Sequence, residues 1–128
     1  MGYPNVQSDR VANFPVIRDS QGEQTNPTTT VVLADTDELG DAAGGTGTYE
    51  VLVVASATAT AEFVVQLRNR ANSVNVGDVH IFYVAANTTV SVPLRYSVES
   101  GQRVRVLINT NLTGDAVVSV FAQKVASL

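Results

Sequence analysis

The sequence predicts an all-β fold: one jelly-roll-like β-sandwich of 7–8 antiparallel strands, preceded by an extended N-terminal arm. Three observations carry this reading. Apolar and polar side chains alternate with a period of two over successive stretches, which places one face of each stretch in a core. Turn-forming residues separate those stretches at intervals suited to a sandwich. The composition is 45% hydrophobic but only 6% aromatic, so valine, leucine, isoleucine and alanine must fill the core. Side chains branched at Cβ lose freedom in a helix and pack well on a pleated sheet. A chain of 128 residues suits a single domain. At that size roughly two thirds of the unfolded surface can be buried, so neither a metal nor a disulfide is needed as a staple, and no cysteine is present to supply one.

Residues 1–27 differ from the rest. They are rich in Asn, Gln, Ser and Asp, and Pro4, Pro15 and Pro27 interrupt them. An extended arm fits this pattern, ordered by a partner or crossing to a neighbouring subunit. The alternative is a frayed tail with a short edge strand at Phe14–Arg18. Residues 28–128 form the sandwich domain, beginning with a strand over Thr28–Ala34. Thr48–Ala57 sets Tyr49, Val51, Val53 and Ala55 against Glu50, Leu52, Val54 and Ser56. Thr60–Arg70 sets Phe63, Val65 and Leu67 against Glu62, Val64, Gln66 and Arg68. Asp78–Ala85 sets Val79, Ile81 and Tyr83 against His80 and Phe82. Thr88–Tyr96 contains Pro93, which cannot donate a ladder hydrogen bond, so that strand is placed at an edge or carries a bulge. Gln102–Asn109 follows. Ala116–Val125 is apolar on both faces over Val117–Val120, as expected of a central or doubly covered strand.

Charge and motif content narrow the function. The net charge is −4 and uneven: Met1–Glu62 holds nine acidic and two basic residues, Phe63–Leu128 three acidic and six basic. An acidic chain whose basic clusters are Arg68-Asn69-Arg70 and Arg103-Val104-Arg105 does not suit nucleic acid. No apolar run reaches the length of a membrane-spanning helix and no secretory leader is visible, so no membrane partner is expected, and the protein is retained in the cytoplasm, leaves by lysis or has lost a leader. His80 is the single histidine, mid-strand and without a nucleophile motif. Glu50 and Glu62 lie on outward faces and read as ion-pair partners of Arg68 and Arg70 rather than as a hydrolytic pair. No enzyme and no cofactor are expected. The run Asp35, Asp37, Glu38 and Asp41 offers hard oxygen ligands but lacks the order of a calcium loop, so no metal site is assigned and calcium at residues 35–41 stays open.

Leu52, Val54, Val64, His80, Phe82 and Leu107 fall on faces that a monomeric sandwich would leave wet. They are therefore the candidate oligomer interface, since closed cyclic assembly covers such surface. Tyr49-Glu50-Val51-Leu52-Val53-Val54, Phe63-Val64-Val65-Gln66-Leu67-Arg68, Thr89-Val90-Ser91-Val92-Pro93-Leu94 and Gly101-Gln102-Arg103-Val104-Arg105-Val106 give the chain its strand texture. In texture and length it resembles the capsid decoration, or cement, proteins of tailed bacteriophages. That resemblance implies a homotrimer bound to the major capsid protein on the virion surface and assembled in the host cytoplasm. It also implies an arm anchored by Tyr3, Val11, Phe14, Val16 and Ile17. The rival reading is a receptor- or carbohydrate-binding module of a phage fibre or tail, with Tyr83, Tyr96, Asn72, Asn87, Asn111 and Asp115 as contacts. The absence of tryptophan counts against it.

Overall fold

A computed structural model describes residues 17–36, 39, 46–77 and 79–127, with the side chains of 17–19 and 127 left aside. The described residues form eight strands: β1 (Ile17–Thr25), β2 (Val32–Asp35), β3 (Gly47–Ala57), β4 (Ala61–Arg68), β5 (His80–Val84), β6 (Thr88–Val98), β7 (Arg103–Ile108) and β8 (Asp115–Ser127). They make two four-stranded antiparallel sheets, β1-β8-β3-β6 and β2-β7-β4-β5. The inner faces pack together as a jelly-roll-like sandwich, as the alternating pattern predicts. Tyr49, Val51, Val53 and Ala55 from β3 meet Phe63, Val65 and Leu67 from β4, with Val104, Val106, Val118 and Val120 completing the core. Phe63 stacks on Phe82 with ring centroids 5.5 Å apart. Pro93 lies on β6, which is an edge strand, so its missing donor leaves no gap in an interior ladder. β8 is interior to its sheet, between β1 and β3.

Two expectations need revision. Residues 17–25, read as part of an arm, form β1, paired with β8 from Ile17↔Gln123 to Thr25↔Asp115. An edge strand has one sheet face in water and one ladder side unpaired, so a polar sequence suits it and resembles a linker. Tyr3, Val11, Phe14 and Val16 lie outside the described residues, as does the Ile17 side chain. So do Asp37, Glu38 and Asp41 of the acidic run.

The second revision concerns β5. Phe82, placed on the outer face by the alternation, is 8% exposed and belongs to the core, while Ile81 (52%) and Tyr83 (65%) point out. The stretch is apolar at both parities, so period two fixes the alternation but not its phase. On β8, where the sequence is apolar at both parities, Val118 is buried and Phe121 is 42% exposed.

The turns are pinned locally. Asn26, Asn72 and Asn87 take positive φ, as asparagine tolerates at turns. The connection after β1 is tied to the β7–β8 loop: Asn26 N–H donates to the Gly114 carbonyl, and Gly114 N–H donates to Asn26 Oδ1. Leu112 N–H donates to the Pro27 carbonyl.

Candidate functional site

The outer face of the β1-β8-β3-β6 sheet carries a surface groove. Its geometry follows from register. Glu50 on β3 pairs across with Arg95 on β6 and Gln123 on β8. Two residues along, Leu52 pairs with Pro93 and Phe121. Side chains two apart share a face, so these two rows lie side by side: one polar, one apolar. They line a groove of about 690 Å³ together with Val51 and Leu94.

The polar row is organised by an ion pair. Arg95 donates to Glu50 Oε1 at 2.6 Å, both side chains being largely in water. A pair so exposed contributes little stability. It presents guanidinium donors and carboxylate acceptors at fixed positions beside the Gln123 amide. The apolar row is open to solvent: Leu52 is 40% exposed and Phe121 42%. An open floor of Pro93, Leu52 and Phe121 beside a row of hydrogen-bonding groups suits a ligand with one C–H face and many hydroxyls.

The outer face of the other sheet differs. Val32, Leu107, Val64 and Ile81 fall in one register row, flanked by Tyr83 on β5. Asn109 Nδ2 donates to Glu62 Oε1 at 2.8 Å, and the Tyr83 hydroxyl also bonds the Glu62 carboxylate. These bonds, Asn109 first and Tyr83 second, hold Glu62 below the usual carboxylate range. The bond to Glu62 and its charge raise the Tyr83 phenol above its ordinary value. Arginines gather at the far end of this face. Arg68 is buried and donates to Asn72 Oδ1, Asn75 Oδ1 and the Asn72 carbonyl. Arg105 beside it is lowered by burial and then by the Arg68 charge.

The residues singled out by sequence are thus dispersed. Leu52 lies in the groove and Val54 beside it, half-buried. Val64 and Leu107 lie on the opposite face, buried by their neighbours, with His80 half-buried on β5. Tyr83 is the most exposed aromatic described, whereas Tyr96 is half-buried and packs against the core. Asn87 and Asp115 sit together at one end of the sandwich, away from Asn72. Glu50 and Glu62 stand on different sheets, facing away from each other, and Glu50 pairs with Arg95 rather than with Arg68 or Arg70. Among the described residues no group of three or more His, Asp or Glu side chains gathers as a metal site would require. Sequence reading missed Phe121, Arg95 and Gln123. The signal for them is cross-strand register, which alternation within one strand does not contain.

No protein-family model matches the chain, and no curated protein sequence matches it. Solved structures do share the fold. One is the N-terminal endo-1,4-β-D-xylanase 10B of Clostridium thermocellum, CBM22-1–GH10 modules complexed with xylohexaose. It matches at a TM-score of 0.53 and 12% identity over 91% of this chain and 27% of that one. Another is the enzymatically active domain of tailspike protein 4 of bacteriophage CBA120, with a TM-score of 0.48 and 9% identity over 84% of this chain and 19% of that one. This chain therefore spans about a quarter or less of the length of either. The fold shared with the xylanase chain overturns the reading as a capsid decoration protein. Strand texture and length, on which that reading rested, are properties of β-sandwiches at large and do not separate a capsid protein from a module of a xylanase chain. The expectation of a non-enzyme is set aside with it, because the same sandwich occurs within a chain described as a xylanase, so this fold does not mark a non-enzyme.

Proposed function

We propose that the protein is a carbohydrate-binding β-sandwich module that holds a glycan on the outer face of the β1-β8-β3-β6 sheet. The observation that carries this is the pairing of an apolar row, Pro93–Leu52–Phe121, with a polar row, Arg95–Glu50–Gln123, in one open groove. A pyranose ring is amphipathic in the same sense: its C–H face covers the apolar row while its hydroxyls exchange hydrogen bonds with the polar one. The fold shared with a xylanase chain solved with xylohexaose supports the reading. Modest affinity is expected, since hydroxyls leaving water gain little net and the groove must supply the surplus by apolar contact.

A glycan array followed by calorimetric titration tests it. Phe121→Ala should weaken binding of any hit about tenfold, or ~1.4 kcal/mol. Arg95→Ala should weaken it comparably, through lost donors and an unpaired Glu50. Wild-type affinity in both variants would place the ligand elsewhere. Reducing-end release in the same samples decides whether a bound glycan is cleaved, Glu50 being the carboxylate in the groove.

A further inference from the structure

The groove does not end at the apolar row. A second cavity of about 290 Å³ lies at the far end of the same face, its lining including Ser56, Thr58, Asn87, Thr89, Asp115 and Val117. Register shows that it belongs to the same surface. Ser56 pairs with Thr89 and Val117, as Glu50 pairs with Arg95 and Gln123. Between the two cavities the face carries one further row, Ser91, Val54 and Ser119. These side chains are small, so they form a low saddle and not a wall. From Glu50 to Ser56 the strands advance by roughly 20 Å, at about 3.3 Å per residue.

From this we infer that the two cavities are ends of one continuous site for a linear, neutral polysaccharide lying along the strands, with the hydroxyl-rich cavity as its distal subsite. This rests on the carbohydrate-binding reading and gives it a substrate class. The linear form follows from the layout: the two cavities lie in line along the strands, joined by a single row of residues. Neutrality follows from charge. The described side chains on this face set the carboxylates of Glu23, Glu50 and Asp115 against the one guanidinium of Arg95. A polyanionic chain would meet net repulsion along its length. The distal chemistry is also distinct. Thr58 Oγ1 accepts from Asp115 N–H at 2.9 Å, and Asp115 Oδ1 accepts from Thr25 Oγ1 at 2.9 Å, so Asp115 is held in place at the cavity mouth. Ser56 and Thr89 then offer hydroxyls that both donate and accept, matching successive sugar hydroxyls without an aromatic platform.

The test is calorimetric titration of the intact chain with neutral xylo-, cello- and manno-oligosaccharides, each from disaccharide to hexasaccharide, and with oligogalacturonides as the anionic counterpart. At least one neutral series should bind, and its affinity should rise about tenfold or more from the short to the long members. The double variant Ser56→Ala/Thr89→Val should abolish that rise and leave disaccharide affinity unchanged. Phe121→Ala, at the other end, should weaken every length alike. Equal affinity for disaccharide and hexasaccharide, or a length gain that survives the double variant, overturns the continuous site and leaves the carbohydrate-binding reading standing. Preference for the oligogalacturonides overturns neutrality. Failure of all four series to bind overturns the carbohydrate-binding reading and this inference with it.

Discussion

At the scale of residues, Tyr83 shows how a single exposed side chain acquires a fixed chemistry. Its ring is mostly in water, yet its hydroxyl is tied to Glu62, which Asn109 holds from the other side. Ionised Glu62 stabilises the neutral phenol, and the neutral phenol stabilises ionised Glu62, so the two shifts run in opposite directions. The Glu62 contribution is present above the ordinary glutamate value, about 4.3, and is lost as pH falls through the lowered one. The Tyr83 contribution is present below the ordinary tyrosine value, about 10, and is lost as pH rises through the raised one. The network is therefore intact across neutrality and comes apart at both ends. Phenolate absorbance against pH, with Tyr83→Phe identifying the signal, should give Tyr83 a midpoint above the ordinary value. Glu62→Gln should bring it down. A midpoint that Glu62→Gln leaves where it was would mean that the carboxylate does not govern the phenol.

At the scale of elements, what could be read depended on how differently the two faces of a strand were written. β3 was legible because Tyr49, Val51, Val53 and Ala55 alternate with Glu50 and Ser56, so a charge and a hydroxyl mark the wet side. β5, His-Ile-Phe-Tyr-Val, has no such marker, and its phase was decided by Phe82 stacking on Phe63, a contact outside the strand. β1 was illegible for the opposite reason: almost wholly polar after Ile17, it is held by its ladder to β8 and by close approach to β2. Gly22 is the point of that approach, where a Cβ would overlap the Leu33 carbonyl oxygen. A glycine inside a strand often marks a place where another backbone comes near. Gly22→Ala should accordingly cost about 1–3 kcal/mol, because the neighbour is backbone and cannot swing aside. Gln24→Ala, on an exposed position of the same strand, should be close to neutral. Thermal melts of the pair check this. Equal melting temperatures would mean that β1 and β2 do not meet as described. The groove was half legible in the same sense: Leu52 was readable as outward on its own strand, but its partnership with Pro93 and Phe121 exists only once β6, β3 and β8 are aligned.

At the scale of the whole molecule, the sandwich separates stability from recognition by parity. Residues of one parity on β3, β6 and β8 fill the core, and their immediate neighbours build the groove. A core change should therefore lower stability while leaving the ligand contacts in place, provided that the domain remains folded. Phe63 offers the strongest test, since it is fully buried on the sheet that does not carry the groove and stacks on Phe82. Phe63→Ala removes an aromatic ring from a core built mostly of aliphatic side chains, at a cost of about 3–5 kcal/mol. Against a typical domain stability of about 5–15 kcal/mol that is a large share, so the variant should stay folded only well below the wild-type midpoint. β1 of one sheet packs on Leu33 of the other, so the sheets should unfold together and the denaturant midpoint should fall without a change of slope. Circular dichroism follows this unfolding in a chain without tryptophan. Glycan affinity measured where the variant is fully folded should equal that of wild type. A reduced slope would show that the two sheets come apart separately. A lost affinity in the folded variant would show that the groove depends on inter-sheet packing, and recognition would then be a property of the whole sandwich rather than of one face.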